Sequence, residues 1–251
     1  MRAAVLVLAG SDPLGYSGLQ ADLRHLAHAG VRAVGIPTAW TLQAVDHVEC
    51  VQPLQAEWLR RGVQLALEDG PVGAVKIGLL SGAEQIAAVA DALAALPAPV
   101  VLDPVLAASA GVQFLDDESL AVLRTRLLPR VSLLTPNIPE LQRLSCMLVS
   151  TQQEAVAAAR SLSVPAVLVK GGHSGGAIVE DWLVLADEVQ VFSSPRLNGP
   201  VPRGTGCMLA TLIAAHICRG NTLDHAVREA RAAVVQAIAA AHAAGTRRLD
   251  P

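Results

Sequence analysis

The chain has 251 residues, a formal net charge of −3 and 52% hydrophobic residues, with only 2% aromatic residues. Such a charge balance provides no basic field for a polyanion, which argues against nucleic acid and anionic membrane surfaces as partners. The apolar start Ala3–Ala9 is too short for an export signal, and no later run reaches the roughly 18 apolar residues of a membrane span, so we expect a cytoplasmic protein.

The four cysteines show neither C-x-x-C spacing nor a nearby histidine ligand pattern. This favours reduced thiols over disulfides or a zinc site. The chain contains no internal repeat, low-complexity linker or shift in composition, so we predict a single domain over residues 1–251.

The first part of the chain predicts a strand, a helix and a second strand. Val5–Leu8 is a continuous apolar run, which is typical of a strand buried on both faces of a parallel sheet. The helix that follows has Ser17 as a candidate N-cap and Gly30 as its stop, and a strand over Ala33–Ala39 comes next. The segment Leu42–Gln52 is polar and rich in β-branched residues, which indicates a small lid of two strands at the sheet edge.

From residue 54 onward, helices and strands alternate. We predict helices over Leu54–Glu68, Ala83–Leu96, Glu118–Leu127, Ile138–Leu144 and Thr151–Leu162, and strands over Ala74–Ile77, Val100–Leu102, Leu133–Thr135 and Ala166–Lys170. An antiparallel hairpin follows, with strands Ala177–Val184 and Val189–Phe192 joined by Leu185–Glu188, and the chain ends in two Ala-rich helices, Cys207–Arg219 and Leu223–Ala243.

A terminal hairpin followed by two helices breaks the strict alternation of a (β/α)₈ barrel. The pattern therefore predicts an α/β fold with an open, mostly parallel sheet, helices on both faces and a small antiparallel edge. Ligands of such sheets bind at the carboxyl ends of the strands. The segments that follow the predicted strands are polar and Gly-rich, namely Gly10–Gly15, Gly78, Asp103-Pro104, Thr135–Asn137 and Lys170–His173.

The segment Gly204-Thr205-Gly206-Cys207 runs directly into an apolar helix. Two glycines at a helix N-terminus let backbone N–H groups converge on an anion, and the helix dipole would also acidify the Cys207 thiol. An ordinary Gly-rich turn with a buried cysteine explains the same residues equally well. Neither G-x-x-x-x-G-K-[ST] nor G-x-G-x-x-G occurs, so a P-loop or dinucleotide fold has no support.

Taken together and in order, these motifs resemble the hydroxymethylpyrimidine phosphate kinases of the ribokinase-like superfamily. The resemblance spans roughly residues 4–215. Its seven motifs are Ala9–Pro13 with Gly18–Asp22, Val75–Gly78, Val101–Val105, Thr135–Asn137 with Pro139-Glu140, Lys170–His173, Phe192–Arg196 and Gly204–Cys207.

The resemblance implies ATP-dependent, Mg²⁺-assisted phosphorylation of an aminopyrimidine alcohol, 4-amino-5-hydroxymethyl-2-methylpyrimidine, and of its monophosphate, in thiamine synthesis. It also implies a homodimer. By similarity, Gly204, Thr205 and Gly206 hold the phosphoryl group, and Cys207 stands where many ribokinase-like relatives have an aspartate base. The remaining implied roles are the pyrimidine site at Gly10, Asp22, Gln43 and Val105, the ATP contacts at Asn137, Lys170 and Gly172, and Mg²⁺ organisation by Asp103 and Glu140.

Four departures from the family pattern cluster near the substrate. Tyr16 replaces a small residue, Ala44 follows Gln43 where the family has Asn, Ser109 stands where a lysine is usual, and Arg203 replaces the histidine before Gly204. They make substrate choice the open question, because the lost lysine would weaken the second phosphorylation more than the first unless Arg203 compensates.

Other interpretations remain for the same residues. A pyridoxal or pyridoxine kinase also phosphorylates a hydroxymethyl group on a nitrogen heterocycle, and a non-catalytic pyrimidine-binding relative accounts for the departures. Singly, Asp22 could cap or face solvent on its helix, Glu140 could be a charge at a helix start, and Lys170 a strand-end lysine.

Overall fold

The computed structural model describes residues 2–94, 96–107, 113–172 and 175–249. Its nine strands belong to one sheet with the order β3-β2-β1-β4-β5-β6-β7-β8-β9. The strands are β1 (Ala4–Ser11), β2 (Ala33–Gln43), β3 (Val48–Pro53), β4 (Val72–Ile77), β5 (Val100–Leu102), β6 (Leu133–Leu134), β7 (Val167–Val169), β8 (Ile178–Val184) and β9 (Val189–Pro195).

The centre of the sheet is parallel and both edges are antiparallel. Strands β2, β1, β4, β5, β6 and β7 pair in parallel, whereas β3 pairs antiparallel with β2 at one edge and the β8–β9 hairpin closes the other. All eight residues of β1 are buried, as its apolar sequence predicted. The predicted open, mostly parallel sheet with a small antiparallel part is therefore confirmed, and the barrel is excluded.

In the described ranges, eight α-helices cover the two faces of the sheet. They are α1 (Gly18–His28), α2 (Ala56–Asp69), α3 (Ala83–Ala92), α4 (Asp117–Val122), α5 (Ile138–Ser145), α6 (Gln152–Ser161), α7 (Thr205–Cys218) and α8 (Leu223–Ala243). Residues of α1, α7 and α8 share one apolar core with Val5 and Val7 of β1, while residues of α2 to α6 share the other with Leu6 and Leu8. None of the helices in the described ranges is long and apolar enough to cross a bilayer.

Two predicted helices differ from the structure. The helix predicted over Ala83–Leu96 ends at Ala92, because the chain turns at Leu93 to return to the start of β5. The helix predicted over Glu118–Leu127 is α-helical only to Val122; a π-helical turn over Leu123–Leu127 and a 3₁₀ turn follow. Pro129 lies in the 3₁₀ turn, where a backbone N–H is not available to continue an α-helix.

The predicted lid and hairpin are both present. Residues Leu42 and Cys50 face each other across the antiparallel pair β2–β3, and β8 pairs with β9 along its full length. The parallel centre brings the carboxyl ends of five buried strands to one edge of the sheet, and the N-terminus of α7 lies at the same edge.

Candidate active site

A large cavity lies at the carboxyl edge of the sheet. Its volume is about 1020 Å³, at the upper end of the range for small-molecule sites, so it has room for a nucleotide and a second small ring. All of the predicted site residues except Asp22 line this cavity, namely Gly10, Gln43, Asp103, Val105, Asn137, Glu140, Lys170, Gly172, Gly204, Thr205, Gly206 and Cys207.

The segment Gly204–Cys207, which we call the anion loop, leads into the cavity-facing end of α7. Gly204 is the N-cap residue and has a φ of +83°, a conformation that favours glycine. A Cβ on Gly204 would lie 2.2 Å from the carbonyl oxygen of Tyr16, so the close packing of Gly204 against the Tyr16 backbone also requires glycine. The first amides of a helix have no intrahelical acceptor, and here they belong to residues that line the cavity.

Cys207 is held as a neutral thiol, which corrects the prediction that the helix dipole acidifies it. Burial raises the pKa of Cys207 to about 12, and the nearby carboxylates of Asp103 and Asp22 add to the rise against the opposing charge of Lys76. The charges of Lys76 and Asp103 act on the thiol from nearby, and both side chains line the cavity together with Cys207. At neutral pH Cys207 is therefore a hydrogen-bonding group and not a thiolate base.

Lys170 lies between two carboxylates, that of Asp103 directly after β5 and that of Glu140 in the first turn of α5. Its Nζ is 2.7 Å from Oδ1 of Asp103 and 3.8 Å from Oε2 of Glu140. A Cβ on Gly206 would lie 3.1 Å from the same Nζ, so the ammonium group is directly beside the anion loop. The structure thus joins three predicted functional residues from distant parts of the sequence at the first turn of α7.

Burial and the charges within this cluster shift the pKa values of its two carboxyl groups in opposite directions. Burial alone would raise the pKa of Asp103, but Lys170 and Lys76 lower it overall, so Asp103 is a stable anion. Burial raises the pKa of Glu140 to about 7, against the lowering effect of Lys170 and with the help of Asp103. The Lys170 pKa is raised, because the charges of Asp103 and Glu140 outweigh the effect of burial.

Asn137 and Glu140 also have a structural role. They form a reciprocal capping box at the start of α5, in which the Glu140 N–H donates to the Asn137 side chain at 2.9 Å and the Asn137 N–H donates to the Glu140 carboxylate at 2.7 Å. Glu140 is therefore a carboxylate at a helix start, as the simpler interpretation has it. Both residues nevertheless line the cavity, so a ligand role is compatible with the cap.

Asp22 differs from the other predicted site residues because it does not line the cavity. Asp22 is fully buried beneath the cavity, where its carboxylate accepts from Nζ of Lys76 at 2.6 Å and from the hydroxyl of Thr211 at 2.8 Å. Burial raises the pKa of Asp22, and the Lys76 pKa is raised because the charge of Asp22 outweighs the effect of burial. Asp22 is thus the counterion of a buried lysine, and neither of its oxygens reaches the cavity.

The remaining residues predicted to bind the substrate, Gly10, Gln43 and Val105, line the same cavity. Gly10 is the second-last residue of β1, and a Cβ there would lie 2.7 Å from a methyl carbon of Leu79. Gln43 ends β2 and pairs with Val48 of β3, so its amide group is carried by the lid. Val105 follows Asp103, to whose carbonyl its N–H donates at 2.9 Å. These positions give the cavity a short wall with one amide side chain.

The donor set fits Mg²⁺ bound with a nucleotide. No group of three or more histidine, cysteine, aspartate or glutamate side chains in the described ranges is arranged to hold a metal ion by itself. Mg²⁺ usually takes one or two carboxylates and completes its shell with waters and substrate phosphates. Asp103 and Glu140, which converge on one cavity within reach of Lys170, match that requirement.

Two of the departures from the family pattern meet in the structure. The guanidinium Nη1 of Arg203 donates to the carbonyl oxygens of Ala44, at 3.0 Å, and Val45. Tyr16 contributes its backbone carbonyl to the packing against Gly204. Ser109, the remaining departure, and His173 lie outside the described residues.

Three charged residues around the cavity were missed by the sequence analysis as functional candidates. Lys76 could have been found, because a lysine inside a buried apolar strand requires a buried partner. The other two are Asp181 and Arg231, which also line the cavity. Asp181 accepts hydrogen bonds from the N–H of Gly171 at 2.8 Å and from Nε of Arg231 at 2.7 Å. Their pairing joins β8 to α8, and no local sequence pattern signals it.

The geometry agrees with the comparisons to known proteins. The phosphomethylpyrimidine kinase family matches residues 12–250. The hydroxymethylpyrimidine/phosphomethylpyrimidine kinase of Haemophilus influenzae is 35% identical over 242 residues, which cover 93% of this chain and 90% of that protein. Among solved structures, the phosphomethylpyrimidine kinase of Clostridium difficile 630 has a TM-score of 0.83 and 28% identity, covering 94% of this chain and 99% of that one.

A pyridoxal kinase is structurally just as similar. The Staphylococcus aureus pyridoxal kinase in complex with ADP has a TM-score of 0.86 and 26% identity, covering 95% of this chain and 88% of that one. The curated relatives with higher sequence identity carry the name of the pyrimidine kinases: that of Streptomyces coelicolor is 37% identical over 239 residues, which cover 94% of this chain and 88% of that protein. The chain belongs to the phosphomethylpyrimidine kinase family.

Proposed function

We propose that this chain transfers the γ-phosphoryl group of ATP to the hydroxymethyl group of 4-amino-5-hydroxymethyl-2-methylpyrimidine, and then to the resulting monophosphate, in thiamine biosynthesis. The observation that carries the proposal is the convergence of the anion loop, Lys170 and Asp103 at one point of a cavity large enough for two ligands. Membership of the family gives the substrate class.

Phosphoryl transfer needs positioning and charge stabilisation more than covalent chemistry from the protein. The free amides at the start of α7 and the ammonium group of Lys170 are aimed at the same place, where they stabilise charge on the transferred group. Lys170 is preorganised for this role because Asp103 holds it at 2.7 Å before any ligand binds. The ammonium can then exchange one carboxylate oxygen for a phosphate oxygen with little movement.

Mg²⁺ bound by Asp103 and Glu140 would neutralise phosphate charge during the transfer. Asn137, whose backbone and side chain are fixed by the capping box with Glu140, and Gly172 form the neighbouring wall for the nucleotide phosphates. These assignments come from the family resemblance, and the shared cavity supports them.

Cys207 is proposed to orient the reacting hydroxyl group. With its pKa raised to about 12 by burial, the thiol does not remove a proton at neutral pH, but it can align a hydroxyl beside the anion loop. A loose transition state asks for little general-base assistance, so a neutral positioning group is chemically sufficient. Gln43 and the backbone at Gly10 and Val105 would hold the pyrimidine ring against this point.

The proposal is tested by measuring ADP release with three acceptors: the pyrimidine alcohol, its monophosphate and pyridoxal, each with Mg²⁺ and ATP. We expect the highest kcat/KM with the pyrimidine alcohol and measurable turnover of its monophosphate. A preference for pyridoxal would replace the proposal with a vitamin B₆ kinase, and ligand binding without any ADP release would indicate a non-catalytic binder. Lys170→Met provides the inactive control, because it removes the ammonium group beside the anion loop.

A homodimer, a cytoplasmic location and a single domain over residues 1–251 complete the proposal. Trp40 and Leu42 of β2 are 55% and 61% exposed beside the edge strand β3, and they supply an apolar surface for a second copy. Sedimentation equilibrium tests the dimer directly: a mass of two chains supports it, and a mass of one chain that is independent of concentration contradicts it.

A further inference from the structure

The guanidinium group of Arg203 connects the anion loop to the lid. Arg203 directly precedes Gly204, and its Nη1 donates to the carbonyl oxygens of Ala44 and Val45 in the turn between β2 and β3. The backbone N–H of Arg203 donates to the carbonyl of Arg247 at 3.0 Å, so the residue is also anchored at its main chain. A single side chain therefore spans two segments that are about 160 positions apart in sequence.

The turn held by Arg203, residues 44–47, has little other support. One backbone hydrogen bond, from Ala44 N–H to the His47 carbonyl at 2.9 Å, closes it. The His47 ring also contacts the carboxylates of Asp46, at 2.9 Å, and Glu49, at 3.3 Å, but these side chains are more than half exposed, so such contacts add little. It follows β2 beside the edge strand β3, which pairs on one side only in the described sheet. An edge pair of this kind opens more easily than the centre of the sheet.

The turn also contributes residues to the wall of the cavity. Gln43 precedes it directly, and Gln43, Val45 and Asp46 line the same cavity as the anion loop. The position of Gln43 relative to Gly204–Cys207 therefore depends on how the turn is held. A guanidinium nitrogen that bonds two carbonyl oxygens fixes this distance better than a flexible contact would, because a planar charged group orients both bonds.

We propose that Arg203 is a positioning residue, a latch that holds the lid turn against the anion loop and so keeps the pyrimidine-binding residues in register with the phosphoryl group. The kinetic part of this inference rests on the proposed function. The structural part concerns only the contact between residue 203 and the turn, which can be measured whether or not the chain phosphorylates a pyrimidine.

The kinetic test compares Arg203→Gln and Arg203→Lys with the wild-type chain. We expect Arg203→Gln to raise the KM for the pyrimidine alcohol about 10-fold, the scale of one lost charge-assisted hydrogen bond, with the KM for ATP little changed. Arg203→Lys should recover part of the loss, because it keeps the charge but not the planar fork. Equal increases in both KM values would indicate general damage to the site and overturn the latch.

The structural test uses limited proteolysis with endoproteinase Glu-C, with detection of the fragment that ends at Glu49. Glu49 lies in β3 just after the turn, and its side chain is 67% exposed. We expect faster cleavage there in Arg203→Gln at an unchanged melting temperature. Arg60→Gln is the matched control, since Arg60 forms a surface ion pair with Glu57 in α2 and should leave both readouts at wild-type values.

The two tests separate the two proposals. Faster cleavage in a chain that phosphorylates no pyrimidine would retain the latch and reject the proposed function. Wild-type cleavage of Arg203→Gln would reject the latch even if the chain is an active pyrimidine kinase. If Arg203→Gln lowers the melting temperature, Arg203→Lys becomes the test variant. Wild-type cleavage together with a wild-type KM would again reject the latch if Arg203→Lys cannot form both hydrogen bonds to the Ala44 and Val45 carbonyls.

Discussion

Substituting Gly206 separates the chemistry of the anion loop from its contribution to stability. Gly206 is the second residue of α7, and unlike Gly204 it does not have a positive φ. Alanine is therefore compatible with the backbone and should stabilise the helix by about 0.5–1 kcal/mol, because glycine loses more conformational freedom on folding. On stability alone, Gly206→Ala is expected to be neutral or favourable.

The expected effect on activity has the opposite sign. The new methyl group would lie 3.1 Å from Nζ of Lys170 and 3.7 Å from Oδ2 of Asp103. Since optimal contacts of this kind are about 3.5–4.0 Å, the ammonium group must move away by about half an ångström, out of the place where it meets the phosphoryl group. Losing one charge-assisted hydrogen bond in the transition state costs about 1.5–3 kcal/mol, which is roughly 10- to 150-fold in kcat.

The assay is steady-state ADP release together with a thermal melt of the same sample. We expect kcat to fall by at least about 10-fold in Gly206→Ala and by on the order of 10²-fold in Gly206→Val, with no fall in the melting temperature of the alanine variant. Gly175→Ala is the matched control, because a Cβ there meets open space. Wild-type kcat in Gly206→Ala would refute the assignment of the transferred group to the first turn of α7.

Four other outcomes follow from the same geometry. Cys207→Ala should lower kcat about 10-fold or more with the KM for ATP unchanged. Cys207→Ser, which keeps a hydrogen-bond donor at the same position in the cavity wall, should retain more activity. Equal kcat in all three chains would reduce Cys207 to packing. Asp181→Asn should raise the KM for ATP about 10-fold and the KM for the pyrimidine much less, because it weakens the contacts to Gly171 and Arg231 that orient the loop after Lys170. Steady-state kinetics that show a larger rise in the KM for the pyrimidine than in the KM for ATP would contradict this prediction. In metal-free protein, the Glu140 pKa of about 7 lies above its ordinary value, so the contribution of Glu140 to stability is full at acidic pH and lost as the pH rises through 7. Glu140→Gln should therefore gain stability relative to the wild-type chain above pH 7 in urea denaturation. A stability difference that stays constant from pH 5 to 8 would contradict this prediction. Removing Mg²⁺ with EDTA should abolish ADP release and reduce the thermal shift produced by ATP, and an ATP shift of the same size without metal would argue against the carboxylate site.

The elements with a strong apolar pattern could be predicted from the sequence. The last helix has the predicted bounds, Leu223–Ala243, because its Ala-rich pattern begins after a capping threonine and stops before a glycine. The start of α7 at Thr205 was predicted within two residues from the same kind of signal. The ends of α3 and α4 could not be predicted, since they depend on where the chain must turn to reach the next strand.

The site could be predicted as far as strand order determines it. Asp103, Asn137 and Lys170 follow successive strands of the parallel sheet, and the carboxyl ends of those strands meet at one edge. The role of Asp22 could not be predicted in this way, because its partner Lys76 lies 54 positions away and side-chain direction on α1 is set by packing. The Cys207 prediction was wrong for a similar reason, as burial outweighs the helix dipole at that position.

The buried charges under the anion loop bear directly on the proposed chemistry. Lys76 and Lys170 are each paired with an aspartate, and Glu140 adds a third carboxylate, so the cluster has no spare positive charge before a ligand arrives. Separating Asp22 from Lys76 would leave a buried lysine unpaired, at a cost of about 3–5 kcal/mol, so that pair is fixed. Only the more accessible pair of Lys170 with Asp103 can exchange partners with a phosphate, and the carboxylate released by that exchange needs a cation of its own. Because the same side chains hold Lys170 in place, we expect a divalent cation to be part of nucleotide binding.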